Sequence, residues 1–285
     1  MSAASVAPAP RASPESPTSS VTARIGAIAR RDLSIELSYR FQLVLRLNQV
    51  VFFAATLFFI SKLVEAPDAL RRFGGDYFEF ALIGLIITTF ATVGLGAFAR
   101  SIADEQRAGT LEVLLTVPTS PTTLLAGSLV VPLGLACLNV AAFLVLGTLV
   151  GVRFPVQGLV LAAPILALTV ATFCELGILS AAFIVLTKRG DPLTLLLGQV
   201  TTFLAGALFP VALLPAPLQA LARAVPAYYG LEGLRQALLE GAGAGAVAGE
   251  LIVLLAFNAL LAPLGLFCFS RALRVARVTG TLGNY

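Results

Sequence analysis

The sequence predicts an all-α integral membrane protein with six transmembrane helices, an N-terminal amphipathic interface helix and a re-entrant outer helical hairpin before the last span. Three observations carry that prediction. Hydrophobic residues make up 58% of the 285 and charged residues only 12%, about half the charge of a soluble domain, and the mean hydropathy is +0.94. Six stretches supply the roughly 20 apolar residues a helix needs to cross the hydrocarbon core. Between the last two, prolines and charges break an apolar region into pieces shorter than a span.

Residues 1–20 are Pro, Ser and Ala with almost no large apolar side chains. They bury too little to offset ordering, so a disordered tail is expected over 1–23. No apolar h-region follows a basic start, which argues against a secretory signal. The membrane domain is expected over 24–275 and a cytoplasmic tail over 276–285. Over 24–42, Arg30, Arg31 and Arg40 accompany Leu33, Leu37 and Phe41, apolar positions four residues apart. That pattern suits a helix lying in the interface with its basic face toward headgroups; it equally suits a juxtamembrane extension of the first span.

The spans are placed at about 43–64, 78–99, 123–150, 158–187, 192–214 and 250–270. The third and fourth are long enough to tilt. Ser120-Pro121 opens the third and Asp191-Pro192 the fifth, each pairing a capping side chain with proline at the first helical position. From 210 to 249, Pro210, Pro215, Pro217 and Pro226 divide the chain into two short apolar faces, Leu218/Leu221/Ala222/Val225 and Leu231/Leu234/Leu238/Leu239. Arg223, Glu232, Arg235 and Glu240 keep this region from being a full span, and two half-length helices dipping into the outer leaflet fit it. A glycine-rich run, 241–249, provides the exit.

Orientation follows from Lys and Arg. With the N-terminus inside, inner segments hold thirteen and outer segments six, the outer set being Lys62, Arg71, Arg72, Arg153, Arg223 and Arg235. The expectation is a multi-pass protein of the plasma membrane with both termini cytoplasmic.

Much chemistry is excluded. With no histidine, His-based zinc sites and His general bases are absent. Cys137, Cys174 and Cys268 are far apart in apolar runs and read as small buried hydrophobes. The two lysines, Lys62 and Lys188, do not complete a GxxxxGK[ST] phosphate-binding loop. The chain is therefore not a conventional P-loop ATPase, and any ATP-driven work needs another polypeptide. The net charge of +4 follows topology and lipid headgroups rather than nucleic acid.

The longest inner polar interruption is 100–123. Arg100 and Asp104, and Asp104 and Arg107, have the spacing to pair on one helical face. Glu105 and Glu112 are seven apart, with Gly109 expected to bend the chain between them. Leu111, Leu114 and Leu115 accompany the acids, more apolar surface than a purely solvated connector needs. The run Asp104-Glu105-Gln106-Arg107-Ala108-Gly109-Thr110-Leu111-Glu112-Val113-Leu114-Leu115-Thr116-Val117-Pro118 resembles the E-x-G-T-L-E-x-L-L-x-T-P signature of ABC-2 type transporter permeases, departing from it at Val117. Lys188-Arg189-Gly190-Asp191-Pro192 is similar to that family's second inner turn, and Phe209-Pro210 through Leu234-Arg235 to its Pro-broken outer hairpin.

The resemblance covers about 24–275. It implies a non-catalytic, six-span exporter subunit that homodimerises and binds two copies of an ABC ATPase, which would use the ATP and magnesium; no cofactor is expected on this chain. It also implies an ATPase-coupling element of Asp104, Glu105, Arg107, Gly109, Thr110, Leu111, Glu112 and Leu115. Lys188, Arg189, Asp191 and the interface helix would flank that element. The cargo class it implies is drugs, lipids or lipid-linked glycans. The competing class is an autonomous secondary transporter or scaffold, which the absence of an evident internal repeat disfavours.

Glu175 lies mid-span, where an ionisable group should face the bundle interior or a cavity. It reads either as part of a substrate path with Asn139 and Gln199 or as a protonated group bonded to a neighbouring helix. For Asn139, Gln199 and Asn258 interhelical hydrogen bonding is the default. Gly147-xxx-Gly151 permits close helix contact, and Tyr39, Phe78, Tyr228 and Tyr229 are candidate interfacial anchors.

Overall fold

A computed structural model of the chain describes residues 21–63, 70, 76–107, 121–187 and 192–278. Among them the regular structure is helical: α1 Val21–Ser38, α2 Arg40–Leu63, α3 Tyr77–Arg107, α4 Pro121–Val150, α5 Val156–Thr187, α6 Pro192–Leu204, α7 Ala216–Ala222, α8 Pro226–Leu238 and α9 Ala248–Val278, with a 3-10 turn at Val211–Leu213. Five helical segments are long and apolar enough to cross a membrane: Val44–Leu63, Tyr77–Ala103, Ala126–Val150, Val156–Thr187 and Ala248–Val275. The protein is a multi-pass membrane protein.

The stretch expected as a single span over 192–214 is shorter as a helix, ending at Leu204. Gly206 takes φ +75° and the chain unwinds toward Pro210. Left-handed backbone is easily adopted only by glycine, so composition alone does not reveal this break. Proline opens both α4 and α6 at the expected residue.

Helix α3 is the axis of the bundle. Phe80, Ala81, Leu82, Ile83 and Ile87 are completely buried, because α2, α4, α5, α6 and α8 all pack on it. Phe78 belongs to this interior at 2% exposure and is not an interfacial anchor. Helices α3 and α5 cross at glycine: a Cβ on Gly94 would lie 2.6 Å from the Phe173 Cβ, and one on Gly177 would strike the Gly94 carbonyl. Small residues at such a crossing admit backbone-to-backbone packing. Above it, Thr194 Oγ1 of α6 lies 2.7 Å from Ser180 Oγ and donates toward the Leu95 carbonyl at 3.4 Å, tying α6 to α5 and α3.

Helix α9 lies along α5. Asn258 Nδ2 reaches the Leu168 carbonyl at 3.1 Å and Thr172 Oγ1 at 2.9 Å, an interhelical bond of the expected kind. Two short helices, α7 and α8, occupy the region between α6 and α9. In α8 the expected apolar face, Leu231, Leu234 and Leu238, is buried against the core; in α7, Leu221 is 51% exposed.

Arg235 departs from the sequence reading. Counted there as an outer surface charge, it is 3% exposed. Its Nη2 donates to the carbonyls of Gly206 (2.9 Å), Ala207 (3.1 Å) and Phe80 (3.3 Å), and its guanidinium stacks 3.4 Å from the Phe80 ring centroid. It thus satisfies carbonyls freed where α6 unwinds, which hydrocarbon would otherwise leave orphaned.

Two smaller corrections come from packing. Of the pair Gly147-xxx-Gly151, Gly147 does meet another helix, since a Cβ there would lie 2.7 Å from Leu82 Cδ2 of α3, whereas Gly151, at φ +111°, follows the end of α4. Cys137 is exposed on the bundle's outer face, whereas Cys174 is buried. The Arg100 guanidinium folds over Gly96, one turn back along α3. The side chains of Asp104, its expected partner, and of Arg107, expected to pair with Asp104, lie outside the described residues.

Candidate substrate cavity

Helix α3 runs past α2, α4 and α6 without closing on all of them, leaving a cavity of about 430 Å³. Its polar lining comes from Thr88, Thr89 and Thr92 of α3, Asn139 of α4, Thr202 of α6, and Arg46 and Gln49 of α2; Phe53, Leu85 and Phe143 are among its apolar walls. The threonines at 88, 89 and 92 share one helical face by spacing. Each hydroxyl donates to a carbonyl of its own helix: Thr88 to Leu85 at 3.0 Å, Thr89 to Leu85 at 2.8 Å, Thr92 to Thr88 at 2.8 Å, and Thr202 to Gly198 at 2.9 Å. Their oxygens keep acceptor capacity. Asn139 and Gln49 have no hydrogen-bond partner among the described residues. Arg46 Nη2 closes one end, held at 3.1 Å by Glu36 Oε1 of α1.

The cavity and, from residue 24 on, every helix of the bundle before α9 fall in a stretch that matches a known family: residues 24–239 fit the model of the ABC-2 type transporter. The chain belongs to the ABC-2 type transporter family. No curated protein matches it significantly. As an ABC-2 chain it is the transmembrane, permease component of an ABC transporter, a class that works with an ABC ATPase.

Within this ABC-2 permease the expected sites fall in different places. The backbone of Asp104, Glu105 and Arg107 closes the last turns of α3, while Gly109, Thr110, Leu111, Glu112 and Leu115, and the turn Lys188, Arg189 and Asp191, lie outside the described residues. On α1, Arg30 and Arg31 are exposed, and Leu33 and Leu37 of α1 and Phe41 of α2 are 45%, 53% and 74% exposed. Arg40 opens α2. The helix is seated on α4, with Ile28 against Gly127.

Of the three residues expected on a substrate path, only Asn139 lines the cavity. Gln199 is exposed on α6, one turn before Thr202. Glu175 sits on α5 outside the lining; its Oε2 is buried without a partner, and Gly265 of α9 approaches its backbone carbonyl. The sequence reading passed over Arg46, Gln49 and the three α3 threonines. Their signal was present: three hydroxyls on one face of an apolar span, and an arginine inside another.

Proposed function

We propose that this permease is one half of a homodimeric exporter in the plasma membrane. Two copies of a separate ABC ATPase bind its cytoplasmic side and use ATP and magnesium. In this reading both termini are cytoplasmic and 24–275 forms one membrane domain of six spans. The loop after α3 is the coupling element, with Asp104, Glu105, Arg107, Glu112 and the leucines at 111 and 115 entering a groove of the ATPase, and Lys188, Arg189 and Asp191 flanking it. The observation that carries the reading is the family match, which includes the interface helix, the whole 100–123 loop and the hairpin.

The fifth crossing in chain order is built from α6 together with the residues after it. Thirteen residues at about 1.5 Å each reach roughly 20 Å, short of the roughly 30 Å core. The unwound 205–210 segment and the re-entrant α7–α8 hairpin complete it, sheltered by protein and by Arg235. The cavity, apolar with weak acceptors and one guanidinium at its end, favours an amphipathic, lipid-like or drug-like cargo over a strongly polar glycan.

The test is charge reversal in the coupling loop. Glu105→Lys and Glu112→Lys should leave the spans folded but lower ATPase co-purification or uncouple ATP hydrolysis from transport. Unchanged complex formation and transport in both variants would refute the coupling assignment. Substrate movement by the purified chain alone in liposomes would instead favour an autonomous transporter.

A further inference from the structure

At the end of the bundle where α1 lies, a second cavity of about 290 Å³ opens between α1, α3 and α4. Arg31, Asp32 and Glu36 of α1, Arg100 and Ser101 of α3, and Ser128 of α4 supply its polar wall. Most of these charges cancel in pairs. Arg31 Nε bonds Asp32 Oδ1 at 3.0 Å, and Glu36 Oε1 is held by Arg46 at 3.1 Å. Arg100 makes no hydrogen bond or ion pair to any described residue.

The Arg100 side chain is exposed and lies back over the preceding turn, the usual direction for a long side chain on a helix. Here a Cβ at Gly96 would lie 2.7 Å from Arg100 Nη1 and 2.9 Å from Cζ, so the head folds back along the apolar segment Tyr77–Ala103. The absence of a side chain at 96 makes this room. A second unmet group shares the wall: Glu36 Oε2 is buried without a partner, an acceptor open to a donor. Ile35, which also lines the cavity, is 53% exposed and continues into the apolar surface of α1.

We propose that this cavity binds the headgroup of an anionic phospholipid from the leaflet in which α1 lies. The phosphate engages the Arg100 guanidinium, a fork suited to phosphate oxygens, and a headgroup hydroxyl donates to Glu36. The acyl chains continue along the Ile35 side. Such a lipid would fasten α1 to α3 and α4 next to the Glu36–Arg46 pair that closes the substrate cavity. This inference rests on the chain spanning a membrane and is independent of export or coupling.

Native mass spectrometry of the purified full-length protein, with phosphatidylglycerol or phosphatidylcholine added, tests it. The parent should retain phosphatidylglycerol in preference to phosphatidylcholine. Arg100→Gln should bind phosphatidylglycerol about tenfold more weakly, the scale of one hydrogen bond to a charged group. Gly96→Ala keeps the charge and favours helix but displaces the guanidinium from its seat, and should weaken binding while leaving thermal stability intact. Equal retention of phosphatidylglycerol by the parent and both variants overturns the proposal. Displacement of the lipid by equimolar inorganic phosphate overturns it too, because the site would then be one for a soluble anion.

Discussion

Replacing Arg235 with Met removes a cation that is 3% exposed and leaves a side chain of comparable length in its place. The carbonyls of Gly206 and Ala207, bonded at 2.9 and 3.1 Å, lose their donor; the Phe80 carbonyl at 3.3 Å is the weakest of the three. Each buried acceptor left unsatisfied costs about 1–3 kcal/mol, and a desolvated guanidinium over a ring contributes about 2 kcal/mol. The two shorter bonds and the ring contact together give a loss of about 4 kcal/mol. For a chain of this size one kcal/mol corresponds to about 2–4 °C, so the melting temperature in detergent should fall by about 10 °C. Arg235→Lys should recover less than half of that, since a single ammonium cannot lie flat on Phe80 while bridging three carbonyls. A melting temperature for Arg235→Met within about 2 °C of the parent would refute the assignment of Arg235 as the cap of the unwound α6 end.

Two further substitutions test the packing of the spans. Gly177→Val drives a side chain into the Gly94 carbonyl and to within about 3.0 Å of the Leu95 carbonyl. It should destabilise by about 1–3 kcal/mol in the same melt, whereas Gly134→Ala, with no atom within 4 Å, should not. Asn258→Leu removes the bonds to Leu168 and Thr172 that join α9 to α5, and should cost about 0.6–2 kcal/mol, read as a lower melting temperature with unchanged helical circular dichroism.

What was legible in the sequence is what is local. A span declares itself in about 20 consecutive residues, and helix starts at Pro121 and Pro192 declare themselves in two, so helix existence and onset were readable. The end of α6 was not. Apolar composition continues to Leu214, but the helix stops at Leu204 because Gly206 turns left-handed and Arg235, 29 residues further along the chain, supplies the donor for its carbonyl. A cap so remote has no signature in a window. Phe78 misled for a related reason: an aromatic at the start of a span reads as an anchor, and only the crowding of other helices around α3 makes it core.

The candidate cavity was legible only at Asn139, and the physical reason bears on what the cavity can hold. Glu175 and Gln199 drew notice because a polar group in hydrocarbon demands a partner. The threonines of α3 did not, because each hydroxyl donates to its own helix and makes no such demand. A lining of this kind tolerates two states. When cargo with donor groups is present, the threonine oxygens accept; when apolar cargo or lipid tails fill the space, no threonine donor is left orphaned. Only Asn139 and Gln49 lack partners among the described residues of that lining, and Arg46 is already neutralised by Glu36. A site that must release what it binds gains from such a wall, since emptying it costs little. A ring of unpaired buried polar groups would bind polar cargo more tightly and could not be emptied without the penalty returning. Conspicuous polarity marks a site in a sequence, whereas the threonines of this cavity are polarity already satisfied.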